Sequence, residues 1–484
     1  MFLERIVTQT RDDLAQRQRE RSLAEVQRLA AMQPPPRDLL TALRPEADQS
    51  GQAQHIVRLI AEVKRASPSK GILAPHLDPV ELARTYEANG AATISVLTEP
   101  HFFLGSPAYL TTIKQAVRVP VLCKDFIFDE YQVYEARSWG ADAILLICAL
   151  LDDRQLRHLL SIARTQGMHC LVETHSIEEA QRAVSAGASI IGVNSRDLIT
   201  FEMNPYLIRD LRRLLPADRV IVAESGIHDA ADARWLSRYD VQAMLVGESL
   251  VVSQDVPAQM RMLLQGANES TQVKICGLRT EEHLSAAIDA GADMLGFVFY
   301  PPSQRYLSPE QAGTLVQTNA HHAASNRHGK ATPDLVGVFV NEEAAIINDI
   351  AEQVGLHFVQ LHGNETPEFC QRIQRPVIKA IPMRGAEDAG KIKAYQEAAW
   401  RILLDTPSTS WGGTGIPHDW SLARNVAQSL PILLAGGLTP ENVAQAIAQV
   451  HPWGVDVSSG VETSKQKDTT KIRAFIEQVR TVKL

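Results

Sequence analysis

Residues 169–194 read HCLVETHSIEEAQRAVSAGASIIGVN, and this stretch decides the fold. Two apolar runs flank a segment whose apolar residues have helical spacing and which ends in Gly187-Ala188. The runs lack the polar alternation of a half-exposed strand, as is typical of parallel strands that are buried on both faces. The segment between them predicts a helix with a glycine C-cap. The stretch is therefore predicted to be a strand–helix–strand unit.

The same unit recurs along the chain. Eight apolar runs lie between residues 56 and 249: IVRLIAEVK, AATISVLTE, VPVLCKDF, AILLICAL, HCLVETH, IIGVNSRD, RVIVAESG and AMLVGES. Eight more follow from residue 272: QVKICG, MLGFVFYP, DLVGVFV, FVQLHG, VIKAIP, RILLDT, PILLAGG and GVDVSSG. Alternating strands and helices indicate a parallel α/β fold. Two sets of eight predict two tandem (β/α)8 TIM barrels, over residues 1–265 and 271–484.

An open doubly wound sheet is less compatible with these runs, because no GxGxxG follows a first strand. The small polar residues 266–272 are a candidate linker between the barrels. Residues 1–55 are expected to extend the first barrel with one charged amphipathic helix, broken at Pro34–Pro36. That helix could be a solvated surface element or a cover for the active site. Residues 320–333 lack periodicity and are predicted to form a flexible loop.

Composition limits the classes of partner. The chain of 484 residues carries a net charge of −8, which gives no global attraction for nucleic acid or an anionic membrane. The first residues are polar and charged, unlike a signal peptide, and no run is long enough to span a membrane. Five scattered cysteines predict reduced thiols in the cytoplasm, without a zinc site. His321, His322 and His328 lack acidic or cysteine neighbours, so no metal is expected.

Polar residues end most strands of the first set, where the active site of such a barrel lies. They are Glu62, Lys64, Lys124, Glu173, Asn194, Glu224 and Ser225. Lysines and carboxylates that converge on one mouth shift each other's pKa values into a range useful for acid–base catalysis. Phosphate is expected after strands seven and eight, where small residues let the backbone approach it. The candidates there are Gly226, Gly247 and Ser249, with Ser67 as a further donor.

Six motifs of this half, IAEVKRASPSKG, VLCKDF, LVETH, GVNSRDL, VAESGI and VGESL, resemble indole-3-glycerol-phosphate synthase. That family closes a ring onto the carbonyl of 1-(2-carboxyphenylamino)-1-deoxyribulose 5-phosphate and releases CO2 and water. The resemblance implies that Lys124 is the general acid and Glu173 its acid–base partner. It also implies that Glu62 orients the lysines and that Lys64 binds an anionic group of the substrate. Asn194 and Ser225 would hold the substrate folded.

In the second set, the strand ends carry Lys274, Cys276, Gln360, His362 and Asp405, and the second strand leads to Arg305. A buried cysteine is usually a small hydrophobe, but at a strand end before glycine its thiolate chemistry becomes possible. Glycine-rich strand ends recur as candidate phosphate loops. They contain Gly413, Gly415, Gly436, Gly437, Ser459 and Gly460.

The motifs KICGL, GFVF-PPS-RY-SPE, QLHG, LLDT…GGTG, LAGGL and VDVSSGVE resemble phosphoribosylanthranilate isomerase. That family carries out an Amadori rearrangement of an aminoribose. The resemblance implies that Asp405 protonates the furanose oxygen and that Cys276 removes the C2 proton. Arg305 would hold the anthranilate side, and Asp456 would help to fix the hydroxyls. No cofactor is implied, and a monomer is expected because the fusion could supply the interface that separate barrels would need.

Two other functions fit part of this pattern. Sugar isomerases of the histidine pathway share the Amadori logic, but they would be expected to use paired aspartates rather than Cys276 and Asp405. One barrel could also be a silent scaffold, although acid–base residues at both mouths argue against that.

Overall fold

The computed structural model describes residues 2–44, 56–197, 202–204, 206–212, 214–268, 270–326, 333–383, 386–405 and 420–482. It divides into two compact units, Met1–Asn268 and Glu269–Leu484. Each unit contains a closed barrel of eight parallel strands. The predicted pair of (β/α)8 barrels is therefore confirmed.

All sixteen predicted strands are present, and we number them β1 to β16 along the chain. The first barrel has β1 Arg58–Val63, β2 Ala91–Leu97, β3 Val121–Lys124, β4 Ala143–Ile147, β5 His169–Thr174, β6 Ile190–Asn194, β7 Val220–Glu224 and β8 Ala243–Val246. The second has β9 Gln272–Cys276, β10 Met294–Val298, β11 Asp334–Phe339, β12 Phe358–Leu361, β13 Val377–Pro382, β14 Arg401–Asp405, β15 Ile432–Leu434 and β16 Gly454–Val457.

Each strand pairs with its neighbours in sequence, and each barrel closes between its first and last strands. β1 pairs with β8 as well as β2, with Ile60 opposite Leu245. β9 pairs with β16 as well as β10, with Lys274 opposite Asp456. Closure brings all eight carboxyl ends of a barrel to one mouth, which is where the polar strand-end residues lie.

Helices follow the strands and cover the outside of each barrel. In the first unit they are Pro79–Ala88, Pro107–Ala116, Glu130–Ser138, Asp153–Thr165, Ile177–Ser185, Leu207–Arg212, Ala230–Leu236, Glu248–Val251 and Val256–Asn268. In the second they are Glu281–Ala290, Pro309–Asn326, Ala344–Val354, Pro367–Cys370, Ala386–Tyr395, Trp420–Ala427, Val443–Val450 and Thr469–Thr481. Short hairpins join Ala66–Ser67 to Gly71–Ile72 and Glu462–Thr463 to Gln466–Lys467. Within the described ranges, no helix has the length and apolar character to cross a membrane.

The N-terminal extension differs from the single helix predicted for it. Its described residues, 2–44, form three helices, Phe2–Glu20, Leu23–Ala31 and Leu39–Leu43. The first break falls at Arg21–Ser22 because Ser22 caps the second helix, accepting a hydrogen bond from the backbone N–H of Glu25. Ile6, Leu39 and Leu43 are buried in the same apolar cluster as the strands of the first barrel. The extension is therefore packed into this unit.

Two other sequence predictions need correction. The helix Pro309–Asn326 covers residues 320–326, which were predicted to belong to a loop; 327–332 lie outside the described residues. The candidate linker over 266–272 is shorter than expected, because residues 266–268 end a helix and Gln272 begins β9. Residues 320–326 and 266–268 are small or polar, and each group continues a helix that its composition alone does not predict.

Core packing in the second unit gives a test of this fold. Phe297 of β10 is fully buried. We expect Phe297→Ala to lower the free energy of unfolding of this unit by about 3–5 kcal/mol, because it leaves a cavity. The measurement is hydrogen exchange of β9–β16 amides. Ile346→Ala is the control, since that side chain is 42% exposed, and it should cost less than about 0.5 kcal/mol. Equal effects of the two changes would contradict the packing described.

Candidate active sites

A pocket opens at the carboxyl ends of β1–β8, and every residue predicted for the first site lines it. These residues are Glu62, Lys64, Ser67, Lys124, Glu173, Asn194, Ser225, Gly226, Gly247 and Ser249. Leu3 and Ile6 of the first helix also line it. The structure therefore supports the second of the two roles considered for that helix, which is to cover the active site. Phe103 and Phe126 add an apolar wall that suits an aromatic ring.

Lys124 is the centre of this pocket's charge network. Its Nζ atom lies 2.6 Å from Oε2 of Glu224 and 3.1 Å from Oε2 of Glu173. Burial alone would lower the pKa of Lys124, but the two carboxyl groups outweigh this and raise the pKa above its ordinary value. Lys124 is therefore an ammonium ion at neutral pH and can donate protons.

The two carboxyl groups beside Lys124 differ in protonation. Burial would raise the pKa of Glu173, but Lys124, His175 and Asn194 together outweigh it and hold the pKa well below the usual range. Asn194 contributes by donating a hydrogen bond of 3.1 Å to Oε1 of Glu173. Burial raises the pKa of Glu224 to about 8; Lys124 offsets part of this, while the charge of Glu173 adds to it. Near neutral pH the cluster thus holds one carboxylate, one carboxylic acid and one ammonium ion.

Gly192 of β6 provides the space that Glu224 occupies. A Cβ atom at position 192 would lie 2.1 Å from Oε1 of Glu224. Gly247 does the same for Glu62, whose Oε1 would lie 2.6 Å from an added Cβ. Glu62 pairs with Lys64 at 3.0 Å and accepts a hydrogen bond of 3.3 Å from Ser95. Glycine at these two places therefore lets buried carboxyl groups face the pocket.

On the side of the pocket where phosphate is expected, the backbone turns after β7, and one hydroxyl group has no hydrogen-bond partner within the described part of the chain. Ser225 and Gly226 have φ angles of +66° and +74°. The backbone is therefore in the left-handed region at the two residues that follow β7. Ser249 is already used, because its hydroxyl donates to the carbonyl of Ile227 at 2.9 Å. The Ser67 hydroxyl is buried and has no hydrogen-bond partner among the described residues. It is thus placed to bind a ligand oxygen.

A second pocket opens at the carboxyl ends of β9–β16. It is lined by the predicted residues Cys276, Arg305, His362, Asp405, Gly436, Gly437, Asp456, Ser459 and Gly460. Gly413 and Gly415, the other predicted phosphate residues, lie outside the described residues. Gly460 fits closely, since an added Cβ would collide with the carbonyl oxygen of Leu438.

Cys276 ends β9 beside a buried ion pair. Lys274 Nζ lies 2.9 Å from Oδ1 of Asp456, and the lysine side chain is fully buried. Burial raises the pKa of the Cys276 thiol, and the charge of Lys274 offsets part of this rise. Gly296 leaves room for both groups, because a Cβ there would lie 3.0 Å from the sulfur and 3.3 Å from Nζ. The resting cysteine is therefore a thiol that is deprotonated only with difficulty.

Asp405 is held by a chain of hydrogen bonds from β12. Nε2 of His362 lies 3.0 Å from Oδ2 of Asp405, and Nδ1 of His362 lies 3.0 Å from Nε2 of Gln360. The imidazole of His362 therefore lies between the side chains of Gln360 and Asp405. This arrangement fixes the carboxyl group of Asp405 towards the same pocket as Cys276.

Arg305 is bound by a carboxylate that the sequence analysis did not identify. Its Nε and Nη2 atoms donate to the two oxygens of Glu462 at 2.7 and 2.9 Å. Lys467 lies 2.8 Å from the same carboxylate. Burial would raise the pKa of Glu462, but Arg305 and Lys467 outweigh it and lower the pKa to about 2. The two cations and one anion leave a net positive charge around Arg305, the member of the group that lines the pocket.

Comparison with known proteins identifies the family of each unit. Family models match residues 3–263 as indole-3-glycerol phosphate synthase and residues 273–478 as N-(5'phosphoribosyl)anthranilate (PRA) isomerase. The chain belongs to these two families, joined in tandem. The predicted resemblances are thereby confirmed, and we call the two units the synthase barrel and the isomerase barrel.

Several relatives carry both barrels. A multifunctional tryptophan biosynthesis protein of Phycomyces blakesleeanus is 35% identical over 522 residues, covering 96% of this chain and 67% of the relative. The tryptophan biosynthesis protein TrpCF of Yersinia pestis is 36% identical over 424 residues, covering 87% of this chain and 84% of the relative. The chain spans 59% to 67% of the length of three multifunctional relatives. The crystal structure of phosphoribosyl anthranilate isomerase from Thermotoga maritima is 41% identical, covers 44% of this chain and all of that one, and has a TM-score of 0.40.

Two groups of residues near the sites were not predicted from the sequence as site residues. Glu224 was noted at a strand end but not chosen as a site residue, although it is the nearest partner of Lys124. Glu462 and Lys467 were missed because they lie beyond the last barrel strand, in a hairpin. The described residues contain no group of three or more His, Cys, Asp or Glu side chains arranged to hold a metal ion.

The protonation of Glu224 gives a pH test of the synthase barrel. Ionisation of Glu224 near pH 8 places a second carboxylate on Lys124, which then holds its proton more tightly and is a weaker acid. We therefore expect the synthase kcat to fall as the pH rises through about 8. The fall should be absent in Glu224→Gln and present in the exposed control Glu81→Gln. A fall that persists in Glu224→Gln would assign it to another group.

Proposed function

We propose that Lys124 is the general acid of the synthase barrel and that Asp405 and Cys276 are the acid and base of the isomerase barrel. The isomerase barrel converts N-(5-phosphoribosyl)anthranilate to 1-(2-carboxyphenylamino)-1-deoxyribulose 5-phosphate. The synthase barrel converts this product to indole-3-glycerol phosphate, CO2 and water. The contact of Lys124 with Glu173 and Glu224 carries the proposal for the first reaction, and the shared pocket of Cys276 and Asp405 carries it for the second.

The synthase reaction needs a cation where negative charge develops. Ring closure places charge on the former carbonyl oxygen, which Lys124 protonates and later protonates again as water leaves. Glu173, the carboxylate beside Lys124, accepts and returns protons. Lys64, paired with Glu62, provides a second positive charge for the carboxylate or phosphate of the substrate. Asn194 and Ser225 line the same pocket and position the substrate.

The isomerase reaction needs an acid on one side of the sugar and a base on the other. Asp405 protonates the furanose oxygen, the ring opens, and the resulting iminium ion makes the C2–H bond acidic. Cys276 then removes that proton as a thiolate. Arg305 and Lys467 supply positive charge for the carboxylate of the anthranilate ring, and Asp456 fixes hydroxyl groups. The phosphate is bound by Gly436, Gly437, Ser459 and Gly460, together with Gly413 and Gly415.

We also propose that the chain acts as a cytoplasmic monomer on small phosphorylated substrates, without nucleic acid or membrane partners. The residues that line each pocket all belong to one of the two units. All five cysteines are unpaired, as is usual in a reducing compartment. Sedimentation at micromolar concentration should give a single species with a mass near 53.3 kDa. A species of twice that mass would overturn the proposed monomer.

A single incubation tests both reactions. Phosphoribosylanthranilate is added to the purified chain, and the products are followed by mass spectrometry. Isomerisation keeps the mass of the substrate, and ring closure then lowers it by the masses of CO2 and water. An isobaric product that is not converted further would contradict the roles given to Lys124 and Glu173.

Single substitutions should separate the two activities. Lys124→Ala should reduce indole formation by about 10²–10⁴-fold and leave isomerisation intact, because it removes the proton donor of one barrel. Cys276→Ala should do the reverse by removing the base of the other. Each variant is the control for its counterpart, and both are assayed with each substrate. Normal isomerase turnover in Cys276→Ala would exclude this residue as the base.

The raised pKa of Cys276 predicts a pH dependence for the isomerase. The thiolate fraction grows about tenfold for each pH unit below the pKa, so kcat/KM should rise with pH above neutrality. Cys370→Ser is the matched control, because Cys370 is also buried in this unit but lies outside the pocket lining. The control should keep the rise. A flat profile in the unsubstituted chain would mean that the thiolate is not the base.

A further inference from the structure

His175 connects Glu173 to a second carboxyl group outside the synthase pocket. Its Nε2 atom lies 3.2 Å from Oε1 of Glu173, and its Nδ1 atom lies 3.2 Å from Oε2 of Glu179. Only 9% of the His175 side chain is exposed. The Nε2 contact is an ion pair without the alignment of a hydrogen bond, so the ring is held mainly from the Glu179 side.

Glu179 is itself fixed in place. Its carboxylate accepts a hydrogen bond of 2.8 Å from the backbone N–H of His175, and Ser176 caps the helix on which it lies. These contacts place the imidazole between the two carboxyl groups. Burial alone would lower the pKa of His175, but the neighbouring carboxyl groups of Glu173 and Glu179 outweigh it and raise the pKa to about 10. The ring therefore carries a proton at neutral pH.

His175 and Glu179 line a cavity that is separate from the synthase pocket. The opposite wall of this cavity comes from the first helix, with Leu3, Val7 and Arg11. Leu3 lines both spaces and so stands between them. The charged groups that face the histidine from this cavity are Glu4, Arg11, Glu179 and Asp197. Polar and charged walls suit water.

The synthase reaction must take up a proton from solvent. The anthranilate carboxylate leaves as neutral CO2, its bonding electrons restore the aromatic ring, and the former carbonyl oxygen leaves as water. That oxygen takes up two protons, and the closing ring returns one, so each turnover consumes one proton. Lys124, Glu173 and Glu224 are all at least 85% buried when the substrate is absent, and a substrate in the mouth covers them further.

We propose that His175 and Glu179 form the route by which this proton reaches Glu173 from the second cavity. The inference rests on the proposed function of the synthase barrel. In the transfer, the Nε2–H bond of the imidazolium breaks and an O–H bond forms at Oε1 of Glu173. The neutral ring keeps its Nδ1–H bond, so rotation about the Cβ–Cγ bond must bring the bare Nε2 atom to the side of Glu179, where it takes a proton from solvent. His175 is thus a positioning residue that acts through Glu173 and does not touch the substrate.

His175→Gln tests the route because glutamine can bond to both carboxylates but cannot pass on a proton at neutral pH. We expect the synthase kcat to fall about tenfold with KM unchanged, because proton transfer becomes rate-limiting. Added imidazole should restore kcat to within about twofold as its concentration rises. The kinetic isotope effect in D2O should be larger in the variant than in the unsubstituted chain. Circular dichroism checks that the variant is folded.

Neighbouring carboxylates provide the matched comparison. Glu179→Gln should lower kcat in the same way as His175→Gln. Glu178→Gln removes the same charge from the same helix turn, but its side chain is exposed and outside the cavity lining, so it should leave kcat unchanged.

Three outcomes would overturn the route. They are an unchanged kcat in His175→Gln, a loss that imidazole does not reverse, and an equal loss in Glu178→Gln. Failure of the unsubstituted chain to form indole-3-glycerol phosphate would instead overturn the proposed function, so the two failures are distinguishable.

Discussion

A charged lysine can be kept inside a barrel mouth only if at least one carboxylate meets it there, because desolvation of an unpaired ammonium ion costs several kcal/mol. Lys124 meets Glu173 and Glu224, while in the other barrel Lys274 meets Asp456. Closure of eight parallel strands makes these meetings possible, since the partners come from strands that are far apart in sequence. The rest of each site is arranged around its pair.

The two barrels use their buried lysines differently. Lys124 keeps 15% of its side chain exposed to the pocket, so its proton can reach a substrate. Lys274 is fully buried and acts on its surroundings through its charge, chiefly by lowering the pKa of Cys276 from the value that burial alone would give. In the proposed reactions, one lysine thus takes part in proton transfer, and the other makes a neighbouring base usable.

The barrels could be predicted from the sequence because every strand is an apolar run that is buried on both faces. The errors lie where local chemistry overrides composition: Ser22 starts a new helix inside one charged segment, and polar residues 320–326 continue a helix. Residues at strand ends could be predicted because closure brings them together. Glu462 and Lys467 could not, since their importance depends on the side-chain contact of Glu462 with Arg305, which is far away in sequence.

The short connection between the barrels has a consequence for the cell. The last helix of the first unit ends at Asn268 and the next strand begins at Gln272. Translation of one message therefore yields the two catalysts in equal number. The ratio of the two enzymes cannot be adjusted by separate transcription or degradation. Any balance of flux between the two reactions therefore depends on the turnover rates of the two active sites.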